Sequence, residues 1–143
     1  MKITRQQLRK LINESMDIVS PTASMFLEEI SATFYSGAGR GVFHEKFPNN
    51  CVVRFVIFAT GGDTIYISDI ETRGRGCLRK GYSRKVMNTL VAKADMFGII
   101  LELDVSPYSE SITLDDLYGF YASLGFKPAG VNDHPYRMRR LPE

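Results

Sequence analysis

From Thr64 to Val105 the chain reads as strand, basic glycine-containing loop, amphipathic helix and strand, and no other stretch restricts the fold as tightly. Thr64 to Thr72 is rich in residues that favour strands. Val86, Leu90, Val91, Ala94 and Phe97 then recur at helical spacing up to Gly98, a good C-terminal stop. Ile99 to Val105 is apolar apart from Glu102 and Asp104, and Pro107 closes it. A helix that crosses between two strands makes them parallel neighbours. Cys51 to Thr60, joined to the first of them by Gly61-Gly62-Asp63, adds an antiparallel partner and completes a hairpin.

The connection into the helix is Leu78-Arg79-Lys80-Gly81-Tyr82-Ser83-Arg84-Lys85. The first N–H groups of a helix have no partner within it, the helix dipole places roughly half a positive charge there, and a glycine lets an anion approach the backbone. Arg79, Lys80, Arg84 and Lys85 add to that field. A solvated helix start accounts for the same residues equally well, because glycine and basic side chains are common at such junctions.

At 143 residues and 44% hydrophobic content the chain is expected to form one domain with a core that needs no disulfide. Its 18 basic and 16 acidic side chains leave a formal charge of +2, which does not point to nucleic acid or an anionic membrane. With only Cys51, Cys77, His44 and His134 available, we expect reduced thiols and no metal site. No apolar run approaches the ~18 residues of a membrane span, and the charged N-terminal segment does not resemble a signal peptide, so a cytoplasmic protein is expected.

Three parts are expected within that domain. Residues 1–35 are helical: Leu8, Leu11, Ile12 and Met16 mark a basic amphipathic helix over Ile3 to Ile18, and Met25, Phe26, Ile30 and Phe34 mark a second over Thr22 to Tyr35. Residues 36–50, with their glycines, Pro48 and two asparagines, read as a flexible loop. Residues 51–143 are the α/β body. In it Thr113 and Asp116 form a capping pair, and Leu114, Leu117, Tyr118, Tyr121 and Leu124 line one face of the helix they start. Phe126 to Leu141 reads as one or two edge strands around Asn132-Asp133.

This order of elements, followed by Leu117-Tyr118-Gly119-Phe120-Tyr121-Ala122-Ser123-Leu124-Gly125-Phe126, resembles the GNAT superfamily of N-acetyltransferases. The family's pyrophosphate loop has the form Gln/Arg-x-x-Gly-x-Gly/Ala, and a later helix ends in Tyr-x-x-Leu-Gly-Phe. Gly81 takes the central glycine, and Tyr121 to Phe126 match the later motif throughout. The resemblance covers roughly Val52 to Leu141 and extends to small acetyltransferases encoded by bacteriophages. It implies an α/β (α+β) fold: a mixed, mostly antiparallel sheet, flanked by helices, whose central parallel pair splays near Ile70 and Pro107 to admit the cofactor.

The resemblance also implies roles. Acetyl-coenzyme A would pair its pantetheine arm with the backbone of Ile70, Glu71 and Thr72 and rest its pyrophosphate on Leu78, Arg79, Lys80, Gly81, Tyr82, Ser83 and Arg84. Tyr121 matches the residue that protonates the departing thiolate; as a plain helix-face Tyr it would be core. The acceptor is an amine on a small molecule or a protein, attacking directly in a ternary complex, and Cys77 is read as a small loop or core thiol, not a nucleophile. Asp69, Glu71, Glu102, Asp104 and His44 are the available bases, and none stands out. Leu78 and Ser83 depart from the pattern, which usually has Gln or Arg and Gly or Ala there. They motivate the alternative of a catalytically degenerate module that docks a host or virion protein. Arg73, Arg75, Arg137, Arg139 and Arg140 raise a weaker alternative, a nucleic-acid acceptor.

Overall fold

The computed structural model describes residues 4–6, 20–106 and 112–143. The helix expected over Ile3 to Ile18 therefore lies, apart from residues 4–6, outside the described residues, as does Pro107. Helix α1 spans Pro21–Thr33. Pro21 stands in its first turn, where a missing N–H costs nothing, and the Ser20 hydroxyl accepts from the N–H of Ala23 at 3.0 Å. Ser20 also donates to Asp63 at 2.6 Å, which ties the start of α1 to the hairpin turn.

The segment expected as a flexible loop instead carries structure. Tyr35–Ser36 forms β1, Val42–Phe47 forms β2, and a short 3-10 turn over Pro48–Asn50 leads into β3, Cys51–Gly61. The cluster Gly37-Ala38-Gly39-Arg40-Gly41 is the turn between β1 and β2, closed by Gly37 N–H donating to the Val42 carbonyl at 2.7 Å. Gly41 is at φ +76, and any Cβ there would overlap the Ile57 carbonyl, so this glycine serves close packing and not mobility. Strand β2 buries Phe43 against Phe55, with ring centroids 5.6 Å apart.

Strand β4 is Thr64–Arg73 and pairs antiparallel with β3 as the sequence predicts. Helix α2, Tyr82–Phe97, starts at Gly81 and stops at Gly98, both left-handed. Strand β5, Ile100–Asp104, lies parallel to β4; helix α3 is Leu114–Ser123; β6 is Lys127–Pro128 and β7 is Arg137–Arg140. The strand order is β1-β2-β3-β4-β5-β7-β6. Of the two C-terminal strands only β6 is at an edge; β7 is inserted between it and β5, because Met138 and Arg140 are buried.

One core joins Phe26 and Ile30 of α1, Val86, Met87 and Leu90 of α2, and Phe126 to the inward residues Val53, Phe55, Ile57, Ile65, Ile67, Leu101 and Leu103. Each fully buried side chain of this kind contributes about 1.5–3 kcal/mol. No described helix is long and apolar enough to cross a membrane.

A bulge in β4 prepares the site. The register runs Ile57 to Ile67 and then Val56 to Asp69, so Ser68 is the extra residue. An added residue flips every side chain beyond it. Ile70 and Thr72 consequently share the face of Ile65 and Ile67, opposite Phe55 and Val53. The β4–β5 ladder ends at Ile67 and Leu103, while β5 continues alongside β7 to Asp104 and Arg137. The parallel pair thus splays from Ser68 onward.

Candidate active site

The splay opens into a cleft of about 480 Å³. One wall is the end of β4, with Ile70, Glu71 and Thr72; the floor is Cys77, Leu78, Arg79, Gly81, Tyr82, Ser83 and Arg84. Opposite stands α3, contributing Asp116, Leu117, Phe120 and Tyr121. Thr113 starts that helix as the sequence predicts, accepting from the Asp116 N–H at 3.1 Å. The cleft therefore gathers every proposed site residue except Lys80. Cys77, Ser106, Ile112, Asp116, Leu117 and Phe120 also line it. Leu117 and Phe120, with Tyr121, could have been found from their spacing on the α3 face.

Gly81, at φ +78, gives the N-terminus of α2 no side-chain cap, so its leading N–H groups lack that partner where Gly81, Tyr82 and Ser83 line the cleft. Arg79, at φ +62, makes no ion pair or hydrogen bond among the described residues. Arg84 is committed differently: it donates to the Ser123 hydroxyl at 3.0 Å and lies over the Phe120 ring at 4.9 Å, tying the floor to α3. Tyr121 is 8% exposed, packed edge-on against Phe120 and Phe126.

The turn after α3 explains its sequence. Gly125 is at φ +96, and a Cβ there would crowd Arg140, whose Nε donates to the Leu124 carbonyl at 2.8 Å. Arg140, 3% exposed, also donates to both carboxylate oxygens of Asp95 at 2.6 and 2.9 Å. The other C-terminal arginines are likewise paired. Arg137 grips Asp104 through two bonds of 3.0 and 2.9 Å, and Arg139 donates to Glu102 at 3.2 Å. They do not form the free basic patch considered for a nucleic-acid acceptor.

The candidate bases separate on the same evidence. Asp69 pairs with Arg54 at 3.2 Å and Glu71 with Arg73 at 3.1 Å, and of the four carboxylates only Glu71 lines the cleft. His44 stacks on Tyr35 in the first hairpin. The hydrogen bonds from Arg137, aided by the Tyr66 hydroxyl at 2.7 Å, hold Asp104 below its ordinary value, which makes it a poor base. Tyr66 is pushed up by burial and then by its bond to Asp104.

Hydrogen bonds from Arg140 likewise hold Asp95 below 3.8. A depressed carboxylate contributes stability that is present above its unfolded value and lost as pH falls through the folded one. Thermal melts should therefore be flat from neutral pH to about 5 and fall steeply below about 4. Asp95→Asn should make the fall shallower, as followed by circular dichroism.

Solved structures of similar architecture include the anti-CRISPR protein AcrVA5, at TM-score 0.50 and 23% identity over 69% of this chain and 97% of its own. The ribosomal-protein-S18-alanine N-acetyltransferase from Escherichia coli matches at TM-score 0.50 and 15% identity over 99% of this chain and 91% of its own. The chain has the GNAT fold. No protein-family model and no curated protein sequence matches it.

Within the GNAT frame the two departures acquire physical readings. Ser83 turns its hydroxyl toward Thr72 at 2.5 Å, bonding the start of α2 to the end of β4. The serine thereby fastens two sides of the cleft together. Leu78 is 56% exposed at the cleft and supplies no polar group where the GNAT pattern has one; Arg79 beside it is the nearest substitute. The Arg73 to Cys77 connection carries one further surprise. Cys51 and Cys77, expected as reduced thiols, form a disulfide with Cα atoms 5.5 Å apart. Both are buried, and neither chain spacing nor composition signals that β3 begins beneath this loop.

Proposed function

We propose that the cleft binds acetyl-coenzyme A and that the chain transfers its acetyl group to an amine. The observation that carries this reading is the convergence, in one cleft, of an open stretch of β4 backbone, a glycine-led helix N-terminus and Tyr121. The fit is chemical. Beyond Ile67 the backbone of β4 has no partner from β5, and the amides of a pantetheine arm can pair there as a strand would. The N–H groups at the start of α2, with Arg79 nearby, suit a pyrophosphate. Leu117, Phe120 and Ile70 supply the apolar lining that an extended thioester arm requires.

The thioester end then falls where the strands part, beside Tyr121. A backbone N–H aimed at the oxygen of the tetrahedral species is worth ~3 kcal/mol. Full proton transfer from a phenol to the leaving thiolate is uphill by about 2 kcal/mol on ordinary pKa values, so Tyr121 acts chiefly by hydrogen bonding to the developing charge. Of the four candidate carboxylates, Glu71 is the one placed to help deprotonate the amine, through water.

Calorimetry with acetyl-coenzyme A tests the reading: no binding at millimolar concentration would remove it and leave the degenerate docking module, which exposed Leu78 favours. Tyr121→Phe is expected to lower kcat about a hundredfold with acetyl-coenzyme A affinity unchanged. Single-turnover rates with a panel of primary amines would check this, and an unaltered rate would return Tyr121 to a core role.

A further inference from the structure

Residues 74–81, between β4 and α2, form the part of the cleft with the least regular backbone. Gly74, Gly76, Arg79 and Gly81 are all at positive φ, and the loop's internal hydrogen bond, Cys77 N–H to the Gly74 carbonyl, is long at 3.4 Å. What fastens it to the sheet is the Cys51–Cys77 bond. Gly74 lies over that bond, where a Cβ would overlap the Cys77 sulfur and press on the Asn50 carbonyl. Cys77 itself lines the cleft, directly before Leu78 and Arg79.

The anchor point does not depend on the bond. Cys51 is held by pairing with Phe47, and Val52 by pairing with Arg73, so β3 stays in the sheet whichever state the sulfurs are in. Breaking the bond releases the loop and leaves its foundation in place. The three glycines of the freed segment, Gly74, Gly76 and Gly81, would then widen its conformational range.

We propose that the Cys51–Cys77 bond is a reversible redox latch on the cofactor cleft: oxidised, it holds residues 77–81 in the binding shape, and reduced, it lets them leave it. This rests on the acetyl-coenzyme A reading above. In the reductive step a thiolate of a dithiol attacks one bridge sulfur, forming a mixed disulfide and freeing one cysteine. The second thiol of the reductant then displaces the other cysteine. Two electrons and two protons reach Cys51 and Cys77, and the reductant leaves as its own disulfide. A small-molecule disulfide reverses the exchange.

Both cysteines are at most 3% exposed, so attack needs the loop to open, and a ligand that pins the loop protects the bond. The coupling is reciprocal. If the reduced loop holds its binding shape about a tenth of the time, reduction weakens the cofactor about tenfold. Bound cofactor then makes the disulfide potential about 30 mV more negative.

The test is calorimetry of acetyl-coenzyme A with oxidised protein, with protein reduced by a phosphine, and with the Cys51→Ser/Cys77→Ser protein. The expected result is about tenfold weaker binding in the second and third, the third being indifferent to the phosphine. Equal affinity in all three overturns the latch and leaves the cofactor reading standing, whereas no binding in any overturns both. Hydrogen exchange without cofactor gives a second readout. Reduction should speed exchange at residues 74–80 and leave the amides of β3 and α2 unchanged; general loss of protection would make the bond a structural staple and refute the latch.

Discussion

Gly81→Val is expected to weaken acetyl-coenzyme A binding at least a hundredfold, about 3 kcal/mol, in protein that still folds. Nothing in the protein lies within 4 Å of a Cβ built at Gly81, so the substitution meets no wall. Its damage comes from two other sources. A β-branched residue at φ +78 carries strain on the order of 1–3 kcal/mol, relieved by moving the first turn of α2. The added side chain also occupies the space through which a phosphate approaches the leading N–H groups. Gly81→Asn separates the two, because asparagine tolerates left-handed backbone while still adding bulk. Binding should be measured by calorimetry and folding by thermal melts. Wild-type affinity in Gly81→Val would place the pyrophosphate elsewhere.

Arg140→Met is expected to cost about 3 kcal/mol of stability, a fall in Tm of roughly 10 °C for a chain of this size. Arg140 is the one described charged side chain deep in the core, and its two shortest-range acceptors are the Asp95 carboxylate and the Leu124 carbonyl. Removing it takes this donor from the Leu124 carbonyl and leaves Asp95 with the Glu143 N–H at 2.9 Å. The Asp95 side chain is 28% exposed, so water can reach it, which sets the cost at the lower end for a broken buried pair. Denaturant unfolding of Arg140→Met, Asp95→Asn and the double variant would isolate the coupling. Arg139→Met is the contrast: its side chain is 41% exposed, and the loss of its bond to Glu102 should stay within about 1 kcal/mol. Similar losses for Arg139 and Arg140 would show that the Asp95 contact is not what secures the turn after α3.

Where local patterns decide structure, the sequence was informative. The hairpin turn at Gly61 to Asp63, the capping by Thr113 and the stops at Gly98 and Gly125 each follow from a few neighbouring residues, and the parallel placement of β4 and β5 follows from chain order. The lining of the cleft was legible for the same reason, because its residues come from the ends of those elements. What escaped depends on partners far along the chain. Val42 to Phe47 reads as a loop because glycines before it and Pro48 and two asparagines after it break every period, and becomes a strand because Phe43 finds Phe55. Arg140 looks like a solvated strand end until Asp95 is placed beside it. The Ser68 bulge has no signature within β4, and Cys51 and Cys77 meet only once the hairpin returns the chain to its starting level.

Among the described residues the sheet begins and ends in strands of two residues, β1 and β6, and β6 closes on Pro128, which has no N–H to offer. Short rims and a proline give an approaching strand from another molecule little to zip onto. Among the described strands the longer run of open backbone lies inside the sheet, on β4 from Ser68 to Arg73, walled by α2 and α3. Geometry therefore screens visitors by girth: a slender amide-bearing arm can thread inward and pair, while a whole polypeptide edge is turned away at the perimeter.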